Sequence, residues 1–144
     1  MRAAFPAWVF WAFLSAIFAA LTAIFGKVGV ENVNSDLATL IRTAIILVLA
    51  AAIVVLTGAM QPLADISRRT WVFLLLSGLA TGASWLCYYR ALKLGPASGV
   101  APIDKLSVVF VALIAAAFLG EKLDLRGGLG VALIAGGAVL LALR

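Results

Sequence analysis

The sequence of 144 residues contains no histidine and a single cysteine, Cys87. The first absence removes the commonest metal ligand and the side chain that most readily relays protons near neutral pH. The second excludes an internal disulfide or a paired-thiol redox site. Ser/His and Cys/His nucleophiles have no residues to work with, and no phosphate-cradling glycine loop occurs. The chain therefore reads as a non-enzyme with no metal and no cofactor. Cys87 falls inside an apolar stretch and is expected to be a buried small hydrophobe. Charge is scarce as well: 12% of residues are charged against 65% hydrophobic, with a mean hydropathy of +1.19. That leaves too little polar surface for a soluble domain. Low-complexity and Ser/Pro-rich segments are missing too.

What remains is almost entirely five apolar stretches, at about residues 7 to 25, 37 to 57, 71 to 89, 97 to 119 and 127 to 143. A helix rising about 1.5 Å per residue needs roughly 20 residues to cross about 30 Å of hydrocarbon, and each stretch comes close to that length. The expectation is an all-α membrane protein with five transmembrane helices and one membrane domain over residues 1 to 144. The first stretch is longer than a signal-peptide core and has no convincing small-x-small cleavage pattern, so it is read as retained.

The net charge of +5 comes from cations placed mostly at helix ends. There they meet headgroups and anionic lipid, which makes membrane lipid rather than nucleic acid the natural partner. Five crossings put Arg2, Arg68, Arg69, Lys122 and Arg126 on one side and Lys27, Arg90, Lys93 and Arg144 on the other. Orientation follows the Lys and Arg excess in short loops, and five against four is hardly an excess. The chain has little reason to choose one orientation. Copies inserted both ways up can pair antiparallel about an axis in the membrane plane, giving a ten-helix inverted-repeat arrangement from one gene.

Local signals punctuate the spans. Trp8 and Trp71 sit where indole rings favour the headgroup level, while Trp11 lies a turn deeper and is a candidate cavity residue. Asn34, Ser35 and Asp36 read as caps of the second helix. Gly95 and Pro96 mark a tight link between the third and fourth, with Gly95 expected left-handed and Pro96 in the next first turn. Small residues recur as Ala12, Ala16 and Ala20, as Gly78 and Gly82, and as Gly128, Ala132 and Gly136. In lipid such stripes let helices approach. The first two are expected to pack within one chain and the third to serve packing or dimerisation.

The strongest site signal is Asp104 with Lys105, within about 5 Å of the centre of the fourth stretch by helical rise. Charges at that depth are costly and usually face a bundle interior or a wet cavity. Pro102 just before them takes away an amide donor from the carbonyl of Ser98, so a bend is expected there. Bent helices beside midplane charges are where transporters commonly bind cargo. The alternative is a structural ion pair with Arg42, which stabilises little after desolvation. Arg42 lies inside the second stretch, either snorkelling outward or turned inward toward Asp104 or Asp36. Thr81, Ser84, Trp85 and Tyr88 share one face of the third helix, which could line a path or hydrogen-bond to neighbours.

The run Ala83-Ser84-Trp85-Leu86-Cys87-Tyr88-Tyr89-Arg90-Ala91-Leu92 resembles the aromatic-rich third helix of the EamA family of the drug/metabolite transporter superfamily. Ala101-Pro102-Ile103-Asp104-Lys105-Leu106-Ser107 resembles its fourth helix. Phe118-Leu119-Gly120-Glu121-Lys122-Leu123 resembles the Gly-Glu element that follows, and Gly127, Gly130 and Gly136 its glycine-rich fifth helix. The resemblance covers nearly the whole chain in a short, single-repeat form. It implies export of amino acids, metabolites or drugs, and, since full-length relatives carry two opposed repeats, completion by a homodimer or another half-size chain. It also implies a helix-end position for Glu121, for which a capping or interface role is expected.

The resulting expectation is a multi-pass bacterial inner-membrane transporter of small organic solutes, of the amino acid or metabolite exporter type, working by alternating access. Asp104, Lys105, Ser84, Trp85, Tyr88, Trp11 and Arg42 are the expected substrate-binding residues, with Pro102 bending the helix. Two alternatives stay open: a proton-coupled cationic drug exporter using Asp104, and a non-transporting membrane assembly subunit.

Overall fold

The computed structural model describes residues 6 to 120, 122 and 124 to 143. Six helices follow one another: α1 (Ala7–Gly29), α2 (Ser35–Leu56), α3 (Arg68–Leu94), α4 (Ala97–Asp104), α5 (Ser107–Phe118) and α6 (Leu125–Ala142), with a 3-10 turn at Leu63–Asp65. α4 and α5 together make one span, so the described residues hold five helices long and apolar enough to cross a membrane. The protein is an all-α, multi-pass membrane protein.

The helix ends show how hydrocarbon-spanning segments satisfy their polar groups. Asn34 caps α2, its side chain accepting from the amides of Asp36 at 2.8 Å and Leu37 at 3.3 Å. Asp36 in the first turn complements the helix dipole. At the other end Gly58, at φ +65°, lets its amide reach Val55 O at 3.2 Å while Ala59 reaches Val54 O at 3.0 Å. That reverse turn needs the left-handed backbone that glycine adopts without a Cβ clash. Ser67 Oγ accepts from the Thr70 amide at 3.1 Å at the head of α3, and Asp124 Oδ1 from Gly127 at 2.7 Å at the head of α6. Hydroxyls inside the spans bond their own helices. Thr39, Thr43, Thr57 and Thr81 donate to the carbonyls of Ser35, Thr39, Ile53 and Ser77, as expected where no water can serve them.

The regular α-helix of the fourth span is interrupted between Asp104 and Ser107. Pro102 has no N–H to give Ser98 and stays inside α4, and the helix ends two residues later at Asp104. Across the gap the bonds tighten. The Lys105 amide is shared between Ala101 O at 3.2 Å and Pro102 O at 3.1 Å, and Leu106, Val108 and Val109 donate to Ile103, Lys105 and Leu106. These are three-residue spacings, the tighter pattern that marks an interrupted helix.

The chain divides into two compact units, one made of α1 as far as Val28 with everything from Leu94 onward, the other of Gly29–Lys93. In the first, α4 and α5 both pack on α6, and Lys27 Nζ donates to Gly95 O at 2.9 Å. In the second, polar side chains tie α2 to α3 at one end. Arg90 Nη2 lies 3.0 Å from both Asp36 carboxylate oxygens, and Lys93 donates to Val33 O. Val30, Ser35, Thr39, Tyr89 and Leu92 are buried.

Burial elsewhere is slight. In the most apolar window of each span between 0% and 11% of the residues are buried, so most side chains there are left at least partly to lipid or to another copy. Several expectations are corrected by this. Cys87 is exposed, not buried; facing acyl chains costs a small thiol nothing. Ala12, Ala16 and Ala20 are exposed as well. A Cβ at Gly78 or Gly82 would meet nothing within 4 Å, and Gly78 opens instead on an apolar groove of about 480 Å³ along α3 with Trp71, Leu75 and Leu79. The stripes of α1 and α3 thus look outward rather than packing within the chain. Among the described residues the left-handed glycines are Gly58 and Gly120. Gly95 is not one of them, and Pro96 stands at the cap position of α4 rather than in its first turn.

Candidate functional site

Charged side chains stand well away from the ends of the spans at two places among the described residues. The first is the break between α4 and α5. Lys105 Nζ lies 3.4 Å from Asp104 Oδ2, with the side chains 56% and 36% exposed. The long lysine stem folds back on its own neighbour, which overcomes the roughly 100° between successive helical positions. The pair is thus available to outside groups rather than sealed, and it is flanked by backbone freed at Pro102.

The second place lies between α2 and α3. The Arg42 guanidinium stacks 3.9 Å from the centroid of the Trp85 ring and 5.1 Å from that of Tyr89. Such cation–π contacts are worth about 2 kcal/mol when desolvated. Trp85 and Tyr89 stand four residues apart on α3, one turn, so their rings flank the same point. Tyr89 is 5% exposed and meets Tyr88 edge-on, centroids 6.3 Å apart. Arg42 therefore turns inward rather than snorkelling. Its Nη1 is shut off from solvent with no hydrogen-bond partner, the one such side-chain atom among the described residues. A buried donor left unpaired costs about 1 to 3 kcal/mol, more when charged.

Neighbouring groups are already committed. Asp36, expected as a partner for Arg42, is drawn to Arg90 instead. Thr39 and Thr43, on the same helix, spend their hydroxyls on Ser35 O and Thr39 O. The reason for the difference is reach: Arg90 enters from the α3 end closest to the Asn34 cap, while Arg42 stands almost two turns further in, level with the rings.

The other expected residues fall as follows. Ser84 is exposed and Tyr88 half-buried on α3, while the Thr81 hydroxyl is taken up by its own helix. Trp11 is 66% exposed and packs edge-on with Phe10 at 5.4 Å. Trp8 and Trp71 face outward near their helix starts, as interface anchors do. Glu121 lies outside the described residues. Tyr89 is the functional candidate missed in the sequence. Its signal was present, since Trp85, Tyr88 and Tyr89 follow i, i+3, i+4.

No solved structure matches the chain. A protein of Sinorhizobium sp. described as an uncharacterized transporter in the cobO 3′ region is 66% identical over 135 residues, covering 94% of this chain and 96% of that protein. The uncharacterized transporter YxxF of Bacillus subtilis (strain 168) is 26% identical over 137 residues, covering 94% of this chain but 42% of that longer protein. The pattern of the EamA-like transporter family matches residues 6 to 143. With five membrane-spanning helices and relatives named as transporters, this chain belongs to the EamA-like transporter family and is a membrane transporter, not an enzyme.

Proposed function

We propose that the protein exports small organic solutes of the amino acid or metabolite type across a bacterial inner membrane by alternating access, as an antiparallel homodimer of ten helices. The observation that carries the reading is the interruption of the fourth span at Asp104 and Lys105. Irregular backbone at membrane depth is tolerated only where protein or a water-filled path serves it, and ionisable groups there mark the route of cargo. Asp104 and Lys105 in one unit, and Arg42, Ser84, Trp85 and Tyr88 in the other, are the side chains assigned to cargo in the course of the cycle. Trp11 supplies apolar surface.

Three further features support the dimer. At most 11% of the residues in the apolar window of any span are buried in one chain. Lys and Arg divide five to four between the two sides. The Bacillus subtilis relative is more than twice as long as the stretch that matches, which leaves room for a second five-helix unit.

The test is to fix the orientation. Two added lysines in the link at residues 58 to 67 should lock one form, and two added in the link at 30 to 34 the other. Each locked form is reconstituted alone and with its opposite in vesicles loaded with a metabolite mixture, and release is read by mass spectrometry. Release is expected only from the mixture of forms. Full release from either form alone overturns the antiparallel arrangement.

A further inference from the structure

We propose that the Arg42 guanidinium, held on the faces of Trp85 and Tyr89, is the receptor for a carboxylate on the cargo, which makes that cargo an organic acid or a zwitterion rather than a simple cation. The inference rests on the transport reading above and names the chemistry of its cargo.

Three observations converge on it. Arg42 is the only basic residue of α2, and the carboxylate in the first turn of that helix is already engaged by both its oxygens with Arg90. The guanidinium carbon lies over the faces of both aromatic rings, a contact that holds the charge in place without any hydrogen-bond acceptor. Nη1 is then a buried, charged donor with nothing to accept from it. An arginine meant only to join helices would spend its donors on them, as Arg90 does. A donor kept dry, oriented and unspent is complementary to an acceptor that arrives and leaves. The acceptor that best matches a guanidinium edge is a carboxylate, through charge-assisted bonds. The part of the half-buried Trp85 ring that Arg42 leaves uncovered gives an apolar or aromatic body of the same molecule a surface to lie on.

The geometry also disfavours a permanent cation at this place. A simple ammonium or quaternary drug brought to Trp85 meets a ring face already occupied by Arg42 at 3.9 Å, and like charges in low dielectric repel strongly.

The experiment measures binding without flux. The full chain in lipid nanodiscs, labelled with ¹⁵N at the arginine guanidinium, is titrated with acetate, butyrate and 3-phenylpropionate, each against its own primary amide. The Arg42 signals are identified by their loss in Arg42→Lys. The acids, increasingly with the size of the apolar body, are expected to shift the Arg42 resonances, and the best acid should bind at least about tenfold more tightly than its amide, as expected for a charged hydrogen bond. In the variants, which carry no Arg42 signal, binding is read by the change in tryptophan fluorescence; Arg42→Gln should abolish the preference for the acid, and Arg42→Lys, which keeps the charge and controls for folding, should retain part of it. Equal binding of acid and amide, no shift with any probe, or an acid preference surviving in Arg42→Gln overturns the proposal. So do Arg42 resonances that stand at the paired position before any probe is added and ignore the probes, because a protein carboxylate then fills the place. Failure of the transport reading looks different: acid binding at Arg42 with no solute released from any vesicle leaves this inference standing and removes that one. Release of neutral or cationic solutes that is indifferent to Arg42→Gln does the reverse.

Discussion

Arg42 and the Asp104–Lys105 pair are both ionisable positions within apolar spans, yet the protein houses them in opposite ways. The pair neutralises itself locally, stays accessible, and sits where the regular helix gives way to a tighter turn. Arg42 sits in an unbroken helix, its charge spread over two rings and its Nη1 closed to solvent. A self-paired site on irregular backbone can exchange its partner without releasing another helix. A stacked guanidinium cannot move without giving up the rings. The difference assigns adaptable contact to the first place and fixed recognition to the second.

The largest expected effect comes from the break. Asp104→Asn and Lys105→Ala should each reduce solute release from proteoliposomes to background while the oligomer, followed by size-exclusion chromatography, stays intact. Unchanged release in both would leave Arg42 alone as the working site and collapse the contrast. Next in size is Arg42→Lys, which keeps the charge but loses the planar stack and fork. About a tenfold fall in release is expected, from loss of a charged hydrogen bond worth at least about 1.5 kcal/mol. A lysine that works as well as arginine would mean that recognition needs only a charge. Trp85→Leu removes the ring under the guanidinium and should lower the thermal stability of the purified protein by about 1 to 2 kcal/mol. Stability equal to the parent protein would show that Tyr89 alone holds Arg42. The smallest effect belongs to Asp36→Asn. Its bridge to Arg90 is 51% and 64% exposed at the side chains, so a change of only about 0.2 to 1 kcal/mol is expected, and a larger one would mean that this bridge, not the aromatic stack, sets the spacing of α2 and α3.

Much of the architecture was readable from hydropathy, because in a bilayer apolar length and the demand for internal hydrogen bonds leave helices as the main solution. Helix ends were less readable. α1 runs past Lys27 to Gly29, and α3 takes in Arg68, Arg69, Arg90 and Lys93. Hydropathy marks where hydrocarbon stops, whereas the backbone goes on bonding, and long cationic stems let charges reach the headgroups from within the helix. Pro102 announced a disturbance, but the opening falls at Lys105 and Leu106, where shared and three-residue bonds replace the regular ladder. At the site, seeking an acid for every base sent Arg42 toward Asp104 or Asp36. The partner was an aromatic surface, which carries no formal charge and so leaves no trace in a count of charges.

The stripes of small residues misled for a related reason. Spacing shows that a close approach is possible, not which helix makes it. With no hydrophobic drive in lipid, Gly78 and Gly82 can face outward in a single chain as easily as inward.

The polar ties between α2 and α3 gather at the ends carrying Asp36, Val33, Arg90 and Lys93, while at the opposite ends Thr57, Ser67 and Thr70 bond only within their own segments. Two rods pinned at one tip behave as tongs. Over about 30 Å of lever, a tilt of a few degrees at the pin becomes a swing of an ångström or two at the free tips, with Arg42 and its rings close to the pivot, where the displacement is least.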